Sequence, residues 1–344
     1  MTKVGLIVWA GFGAFSDDLI GYTQRQLLKK YISDAQIDDR LMHRRKIAGT
    51  AGYLNQFDLV VHGGGSLLGK CTHYPINSIG NWHKKLKPPL AIFGPGYRYE
   101  PGKEPLNQQS RRRLKLLFRK ARVISVRGQR TVYHLRKNRI PIKKIHSLGD
   151  PVMACDIKLD RDPKYIMGNV RHSPPHEIKH VSNEVVQQGM ANIYDWLIDY
   201  YDQPLVLISF RNTKSDNDVI GAKLTKARMR NKKRVMIRAP KDFQQAVGLM
   251  KNATFWLGQR LHPTVFAGIN DIPFVGIEYQ FEKMMDWAST VGINNFMHTG
   301  DLSLETFQRN FEAVPENMKK LRRALPVRIE EINEVAQRIA RLVA

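Results

Sequence analysis

Cysteine is scarce in this sequence, and long apolar runs are absent. Only two of the 344 residues are cysteine, Cys71 and Cys155, and neither belongs to a CxxC pair. A disulfide framework or a zinc ribbon is therefore not supported, and a reducing cytoplasm is expected. No apolar run approaches the roughly 20 residues that cross a bilayer, so no membrane span is expected. Residues 4–15 are interpreted as a strand and a glycine loop rather than a secretory signal, because acidic residues follow where a cleavage site would stand.

Acidic residues are also few. The sequence has 31 Asp and Glu against 55 Lys and Arg, which gives a formal net charge of +24. Nearly all the excess lies in two stretches without an acidic residue: the first basic window, residues 110–145, with fourteen Lys and Arg, and the second basic window, residues 222–241, with nine. Such stretches either keep a protein soluble or attract a polyanion, such as lipid phosphate or nucleic acid. Their only aromatic residues are Phe118 and Tyr133, so base stacking is not expected.

Short apolar runs alternate with helical patterns along the chain, which predicts parallel βαβ units in a doubly wound sheet. Examples are the predicted strands 57–62, 90–93 and 123–126 and the predicted helices 109–121 and 129–137. The pattern restarts after residues 149–162, which are rich in Asp, Pro and Gly. We therefore predict an N-terminal Rossmann-like domain over residues 1–155, a C-terminal one over 156–320, and terminal helices over 321–344 that pack back on the first domain, with an amphipathic helix after Pro326.

In open parallel sheets, ligands bind beyond the carboxyl ends of the strands. The segments that follow the predicted strands contain one residue suited to proton transfer near neutral pH, His262. They also contain four cations that could bind an anion: Arg127, Arg211, Arg260 and Lys283. A cleft between the two halves would be lined by most of these residues.

A glycine run, Gly63-Gly64-Gly65-Ser66, follows a predicted strand. Glycines permit close backbone approach, and the amides of such a turn can point at an anion, but tight packing explains a glycine turn equally well. The run has neither the GxGxxG spacing of dinucleotide-binding proteins nor the ending of a P-loop. Nicotinamide and ATP binding are therefore disfavoured.

A second motif, Gln259-Arg260-Leu261-His262-Pro263, lies between a predicted strand and a predicted helix. Because proline favours the first helical turn, Arg260 and His262 are expected near the positive end of the helix dipole. A guanidinium and an imidazole at this spacing can converge on a small anion, the first holding charge and the second moving a proton. The alternative interpretation is a structural histidine.

Histidines recur at spacings of four at His172, His176 and His180. Pro174 and Pro175 interrupt any shared helix face, so no metal site is predicted. No GxSxG nucleophile elbow occurs, which disfavours hydrolase chemistry.

Six short motifs stand in order at predicted strand ends: HGGGSLL at residues 62–68, FGPG at 93–96, ISVRG at 124–128, LGDPV at 148–152, QRLH at 259–262 and IPFVGIEY at 272–279. Together they resemble the polysaccharide pyruvyl transferase family. The resemblance implies two Rossmann-like α/β domains facing across a cleft, the GT-B-like architecture of many glycosyltransferases. It also implies transfer of the carboxyvinyl unit of phosphoenolpyruvate onto two hydroxyls of a glycan sugar, with formation of a pyruvate ketal and release of phosphate, in surface polysaccharide or exopolysaccharide biosynthesis.

The resemblance also implies roles for individual residues. His262 would act as the catalytic acid or base. The residues implied to hold or face phosphoenolpyruvate are Arg127, Arg260, Leu261 and Lys283. Further substrate-binding candidates at strand ends are Gly64, Gly65, Ser66 and Arg211. Apart from the donor substrate itself, no cofactor is expected.

Two other functions remain open from the sequence. The same architecture suits a nucleotide-sugar-dependent glycosyltransferase, in which residues 63–66 and the arginines would hold a diphosphate. The two basic windows would also suit a non-catalytic protein that binds an acidic polymer. For the transferase, the expected acceptor is a glycan or lipid-linked saccharide, and the expected location is the cytoplasm, with peripheral contact to an anionic membrane surface as an option. Nucleic acid is not an expected partner.

Overall fold

A computed structural model of the protein describes residues 1–10, 15–41, 51–69, 85–99, 105–141, 145–173, 181–211, 217–279 and 282–344. Within these ranges, most strands form two six-stranded parallel sheets, one in each half of the chain. Strands that are covered on both faces are continuously apolar, as parallel sheets require. The strand Leu205–Ile208, for example, is buried along its whole length.

The N-terminal half contains, in chain order, β1 (Lys3–Ile7), α1 (Phe15–Tyr31), β2 (Gln36–Asp38), α2 (Ala51–Leu54), β3 (Leu59–His62), β4 (Gly65–Gly69), β5 (Leu90–Phe93), β6 (Pro95–Arg98), α3 (Gln108–Lys120), β7 (Val123–Val126), α4 (Gln129–Lys137) and β8 (His146–Ser147). Its main sheet has the order β2-β1-β3-β5-β7-β8. Beyond the carboxyl ends of β3 and β5, β4 and β6 pair in parallel as a separate two-stranded sheet. Part of the glycine run, Gly65 and Ser66, thus belongs to a strand of this small sheet rather than to a loop.

The C-terminal half continues with β9 (Tyr165–Asn169), α5 (Asn183–Tyr201), β10 (Leu205–Ile208), α6 (Asp218–Arg228), β11 (Val235–Arg238), α7 (Phe243–Lys251), β12 (Ala253–Gly258), α8 (Leu261–Ile269), β13 (Phe274–Glu278), α9 (Lys283–Val291), β14 (Phe296–His298), α10 (Leu304–Glu312) and the terminal helix α11 (Val314–Ala340). Its sheet has the order β11-β10-β9-β12-β13-β14. A 3₁₀ turn over Pro151–Ala154 follows β8 and leads into this half. The predicted α/β class with two parallel-sheet halves is confirmed.

The terminal helix differs from its prediction. It begins at Val314 and contains Pro326, whereas the sequence pattern predicted a helix that starts after this proline. Although proline removes one helical hydrogen bond, Val314, Met318 and Leu321 form a buried stripe that holds the preceding turns in place.

The terminal helix also contacts the N-terminal half. The Tyr31 hydroxyl donates a hydrogen bond to Asn333 Oδ1 at 2.7 Å, and Lys30 Nζ donates to the same oxygen at 3.1 Å. The domain boundaries at residues 155 and 320 stay a prediction. Among the described residues, no helix is both long enough and apolar enough to cross a membrane.

Candidate active site

Arg127 directly follows β7 and is almost completely buried, with 1% of its surface exposed. Its Nε donates a hydrogen bond to Asp150 Oδ2 at 3.0 Å. The guanidinium lies against the backbone of Gly96, where any Cβ atom would collide with it. Asp150 itself is fully buried, and its Oδ1 accepts a hydrogen bond from Val152 N at 3.0 Å. This carboxylate therefore fixes both the arginine and the turn between the two halves.

His262 approaches the same carboxylate from the other half of the chain. It is the second residue of α8, and its Nε2 lies 3.5 Å from Asp150 Oδ2. Burial would raise the pKa of Asp150, but His262 and Arg127 outweigh this effect and hold the pKa below its ordinary value. Asp150 is therefore an anion at neutral pH, shared by a cation and an imidazole from different halves.

Asp286 on α9 forms a second junction between the halves. Its Oδ1 accepts a hydrogen bond from Thr131 N at 3.0 Å, and its Oδ2 accepts one from the Thr131 hydroxyl at 2.6 Å. The N-cap of α4 is Gly128, which has no side chain to satisfy these groups, and a Cβ there would overlap Asp286. Burial raises the pKa of Asp286 despite the opposing effects of Arg127 and Thr131. A carboxylate of the C-terminal half thus caps the helix that follows Arg127.

Arg260 lies two residues before His262, but its guanidinium has a different partner. Its Nη2 and Nε donate to the two oxygens of Asp218 at 2.7 and 3.3 Å, and both side chains are buried. Asn169, at the end of β9, accepts hydrogen bonds from Gln259 N at 3.0 Å and from Arg260 N at 3.2 Å. The turn that carries Arg260 and His262 is therefore held by the centre of the C-terminal sheet.

Three other predicted residues lie at strand ends of the C-terminal half. Leu261 is the buried first residue of α8. Lys283 is the first residue of α9, and its Nζ lies 5.7 Å from the centre of the Tyr279 ring. The Arg171 guanidinium lies over the same ring at 4.7 Å. Arg211 follows β10, and its carbonyl accepts a hydrogen bond from Asp218 N at 3.0 Å.

The glycine run at residues 63–66 contributes to packing, whether or not it also contacts a ligand. The Gly64 amide donates to Gln24 Oε1 at 2.9 Å, and Gln24 Nε2 donates to Phe93 O at 2.6 Å, so the turn is tied to β5. Gly65 needs its φ of 101°, which favours glycine. The Ser66 hydroxyl is buried and has no hydrogen-bond partner within the described part of the chain.

Several buried polar atoms at the strand ends have no hydrogen-bond partner among the described residues. They are Arg127 Nη1, His262 Nε2, Ser66 Oγ and Asn169 Nδ2. Buried polar atoms in native proteins are nearly always satisfied, so such atoms at strand ends are candidates for contact with a polar ligand. They come from both halves of the chain.

No three His, Cys, Asp or Glu side chains converge into a metal-binding group within the described residues. Residues 176–180 read HEIKH and so match the HExxH spacing of zinc-binding helices. They lie outside the described ranges. The prediction of no metal site stays a prediction.

The sequence reasoning missed the three aspartates that organise this region. Asp150 belongs to the LGDPV motif, but the resemblance implies no role for its carboxylate. Asp218 and Asp286 belong to none of the motifs. Their roles depend on contacts between residues far apart in the chain, so no local pattern predicts them.

Comparisons with known proteins agree with this architecture. A family model described as polysaccharide pyruvyl transferase matches residues 17–280. Anabaena HepE in complex with UDP-glucose has a similar structure, with a TM-score of 0.61 at 11% identity over 99% of both chains. UDP-GlcNAc 2-epimerase from Neisseria meningitidis bound to UDP-GlcNAc has a TM-score of 0.57 at 14% identity, again over 99% of both chains. Acinetobacter baumannii MurG has a TM-score of 0.53 at 11% identity, over 98% of this chain and 100% of its own.

At such identities these structures show the fold alone, and they are GT-B enzymes, as expected from the sequence. A search of curated protein sequences gives no match.

Proposed function

Because the chain belongs to the polysaccharide pyruvyl transferase family, we propose that it transfers the carboxyvinyl unit of phosphoenolpyruvate onto two hydroxyls of a glycan sugar. The product is a cyclic pyruvate ketal, and phosphate is released. The observation that carries this proposal is the meeting of Arg127 and His262, from different halves, at the single carboxylate of Asp150. A reaction of a compact anionic donor needs such a pairing of a cation with a proton carrier.

The negative charge of the donor explains why the candidate active site contains several cations. Phosphoenolpyruvate carries a carboxylate and a phosphate, and planar guanidinium groups bind both well. Arg127 is the first candidate, because its Nη1 atom is buried and has no partner within the described residues. Arg260 and Lys283 follow strands of the facing half and supply positive charge there. The buried aspartates offset this charge in the absence of the donor.

The proposed chemistry balances without a further reactant. A proton is added to the methylene carbon of the donor, which becomes a methyl group, and the first sugar hydroxyl adds to the neighbouring carbon and loses its proton. Phosphate then leaves with its bonding electrons, the second hydroxyl closes the ketal, and the second hydroxyl proton is taken up by phosphate. His262 moves a proton in this sequence, and Asp150 provides the counter-charge when the imidazole is protonated.

The proposal is tested by measuring phosphate release from phosphoenolpyruvate with and without a glycan acceptor. We expect release only with acceptor, and a fall of about 100-fold or more in His262→Ala because a general acid or base is lost. His146→Ala is the matched control, since this half-buried histidine lies on β8 and contributes to no proposed catalytic step. Circular dichroism checks that both variants are folded. An absence of release with every glycan offered would contradict the assignment.

A second candidate is a nucleotide-sugar-dependent glycosyltransferase. It is favoured by the structural neighbours, of which HepE is described in complex with UDP-glucose and the Neisseria epimerase with UDP-GlcNAc. Thermal unfolding separates the two candidates, because a ligand that binds only the native state raises the melting temperature. Stabilisation by UDP-glucose and not by phosphoenolpyruvate would favour the second. For either, we propose a cytoplasmic location and a glycan or lipid-linked acceptor.

A further inference from the structure

The first basic window contains more charge than the candidate active site uses. At the end of α3, a pocket of about 440 Å³ is lined by Arg119, Lys120, Arg122 and Arg338 and by no acidic residue. A neighbouring pocket of about 430 Å³ is lined by Arg136 and again by Arg338, and there Glu331 and Glu334 of the terminal helix also line it. Because Arg338 lines both, the two pockets are adjacent.

These cations lie away from the cleft. α3 ends at Lys120 and β7 begins at Val123, so Arg119, Lys120 and Arg122 lie at the amino edge of the N-terminal sheet. Arg127 lies at the opposite edge, beyond the carboxyl end of β7. At about 3.3 Å per residue, the four residues of β7 separate the two edges by about 13 Å.

α4 adds further cations at the same amino edge. It starts beside Arg127 and runs back along the sheet, which brings Arg136, Lys137 and Arg139 to the amino edge. We call these residues the rear basic surface: Arg119, Lys120, Arg122, Arg136, Lys137 and Arg139. Five of the six are exposed, and Lys120 is half-buried. Basic residues at helix C-termini are favoured by the helix dipole, but Arg122 and Arg139 lie beyond the helices.

The side chains of the rear basic surface are not held in ion pairs within the described part of the chain. None of its six side chains has an ion-pair partner there, whereas Arg127 and Arg130, on the cleft side, pair with Asp150 and Glu282.

The second basic window is different. There Arg230 pairs with Asp199 at 2.9 Å, Arg234 pairs with Asp202 at 2.9 Å, and Lys226 Nζ donates to a backbone carbonyl at 2.6 Å. Positive charge is therefore partly offset by ion pairs in the second basic window, whereas the rear basic surface of the first window has no such pairs within the described residues.

We propose that the rear basic surface binds the phosphate groups of an acidic phospholipid membrane and holds the protein at its surface. The rear basic surface suits lipid phosphate better than nucleic acid. Tyr133 is the only exposed aromatic residue among the described residues of the first basic window, so the surface lacks the set of aromatic rings on which bases stack. The donor and the reacting sugar are excluded as occupants, because the candidate active site lies at the other edge of the sheet. Clusters of basic residues attract acidic leaflets in this way.

The experiment compares two triple variants that remove the same charge. The rear variant is Arg119→Gln, Lys120→Gln and Arg122→Gln. The control variant is Lys223→Gln, Lys232→Gln and Lys233→Gln, three exposed residues of the second basic window. Binding is measured by sedimentation with phosphatidylcholine vesicles that contain or lack phosphatidylglycerol. We expect binding only to acidic vesicles, weakening with salt, at least a tenfold loss of affinity in the rear variant, and less than a twofold loss in the control.

Each other outcome overturns the proposal. An equal loss in both variants would mean that net charge alone attracts the protein. Tighter binding to duplex DNA than to acidic vesicles, abolished in the rear variant, would make nucleic acid the partner. Stabilisation by inorganic phosphate without vesicle binding would indicate a soluble anion. Phosphate release in solution is expected to be unchanged in both variants, which separates this test from that of the transferase reaction.

Discussion

In each half of the described chain a buried arginine pairs with an aspartate, and the two pairs are built differently. In the C-terminal half, Arg260 donates two hydrogen bonds to Asp218, and both residues follow strands of the same sheet. In the N-terminal half, Arg127 donates one hydrogen bond to Asp150, whose carboxylate also lies beside His262 of the other half. The first pair belongs to one half, whereas the second joins two.

The difference predicts different consequences when each pair is broken. Loss of Asp218 leaves the Arg260 guanidinium buried without its bidentate partner. Loss of Asp150 leaves Arg127 within the electrostatic influence of a second carboxylate, Asp286. We therefore expect Asp218 to matter more for stability and Asp150 to matter more for activity.

The largest effect on stability is expected for Asp218→Asn. The substitution keeps the shape of the side chain but removes the negative charge that pairs with the Arg260 guanidinium, and breaking a buried ion pair costs about 3–5 kcal/mol. The free energy of unfolding is measured by urea denaturation. Asp199→Asn is the control: it removes the half-exposed partner of Arg230, with 52% of its side chain accessible, and surface pairs of this kind contribute less than about 1 kcal/mol. Equal losses in the two variants would contradict the assignment of a buried pair.

Asp150→Asn is expected to cost less stability and more activity. Asparagine keeps an oxygen that can accept from Arg127 Nε but loses the negative charge beside His262, so we expect a loss of about 1.5–3 kcal/mol. Acceptor-dependent phosphate release should fall at least tenfold, because the carboxylate that faces the His262 imidazole at 3.5 Å is lost. A stability loss with unchanged phosphate release would limit Asp150 to a structural role.

The pH dependence of stability sharpens the same comparison. The pKa of Asp150 is held below its ordinary value of 3.8 by His262 and Arg127 against the effect of burial. Its stabilising contribution is therefore fully present above 3.8 and is lost as the pH falls through the native pKa. The difference in unfolding free energy between the wild type and Asp150→Asn should therefore decrease as the pH falls below this ordinary value. A difference that vanishes already near pH 5 would show that another group is responsible.

The smallest effect is expected for Asp286→Asn. Burial raises the pKa of this carboxyl group, in contrast to Asp150, so its charged form is costly in the folded protein. Asparagine removes that cost and keeps an oxygen for the Thr131 amide, so the unfolding free energy should change by less than about 1 kcal/mol near neutral pH. Urea denaturation measures it. A loss as large as that of Asp218→Asn would mean that the charge of Asp286 is needed to neutralise Arg127.

The fold was predictable where local signals were sharp. Predicted strands 90–93 and 123–126 and the predicted helix 129–137 coincide with β5, β7 and α4, because glycine, proline or charged turns bound each apolar run. The sheet of β4 and β6 was not predictable in this way. Its residues are glycine-rich and follow β3 and β5 almost without interruption, so they resemble loops until the pairing of the two strands is known.

The candidate site was predictable in its cations but not in its anions. Arg127 and His262 stand at strand ends, where sequence reasoning looks for ligand contacts, and the structure brings them to a common partner. Asp150 and Asp286 act across the boundary between the halves. Which carboxylate meets which cation depends on the packing of distant elements, and no local pattern encodes it.

The capping of α4 by Asp286 has a consequence for measurement. The Thr131 amide lies in the first turn of its helix, where backbone donors have no carbonyl partner of their own. It is covered only while α9 of the C-terminal half stays in contact. The rate at which this amide proton exchanges with deuterated solvent therefore reports how often the two halves separate. A small molecule that binds to both halves would slow the exchange, even before any product is formed.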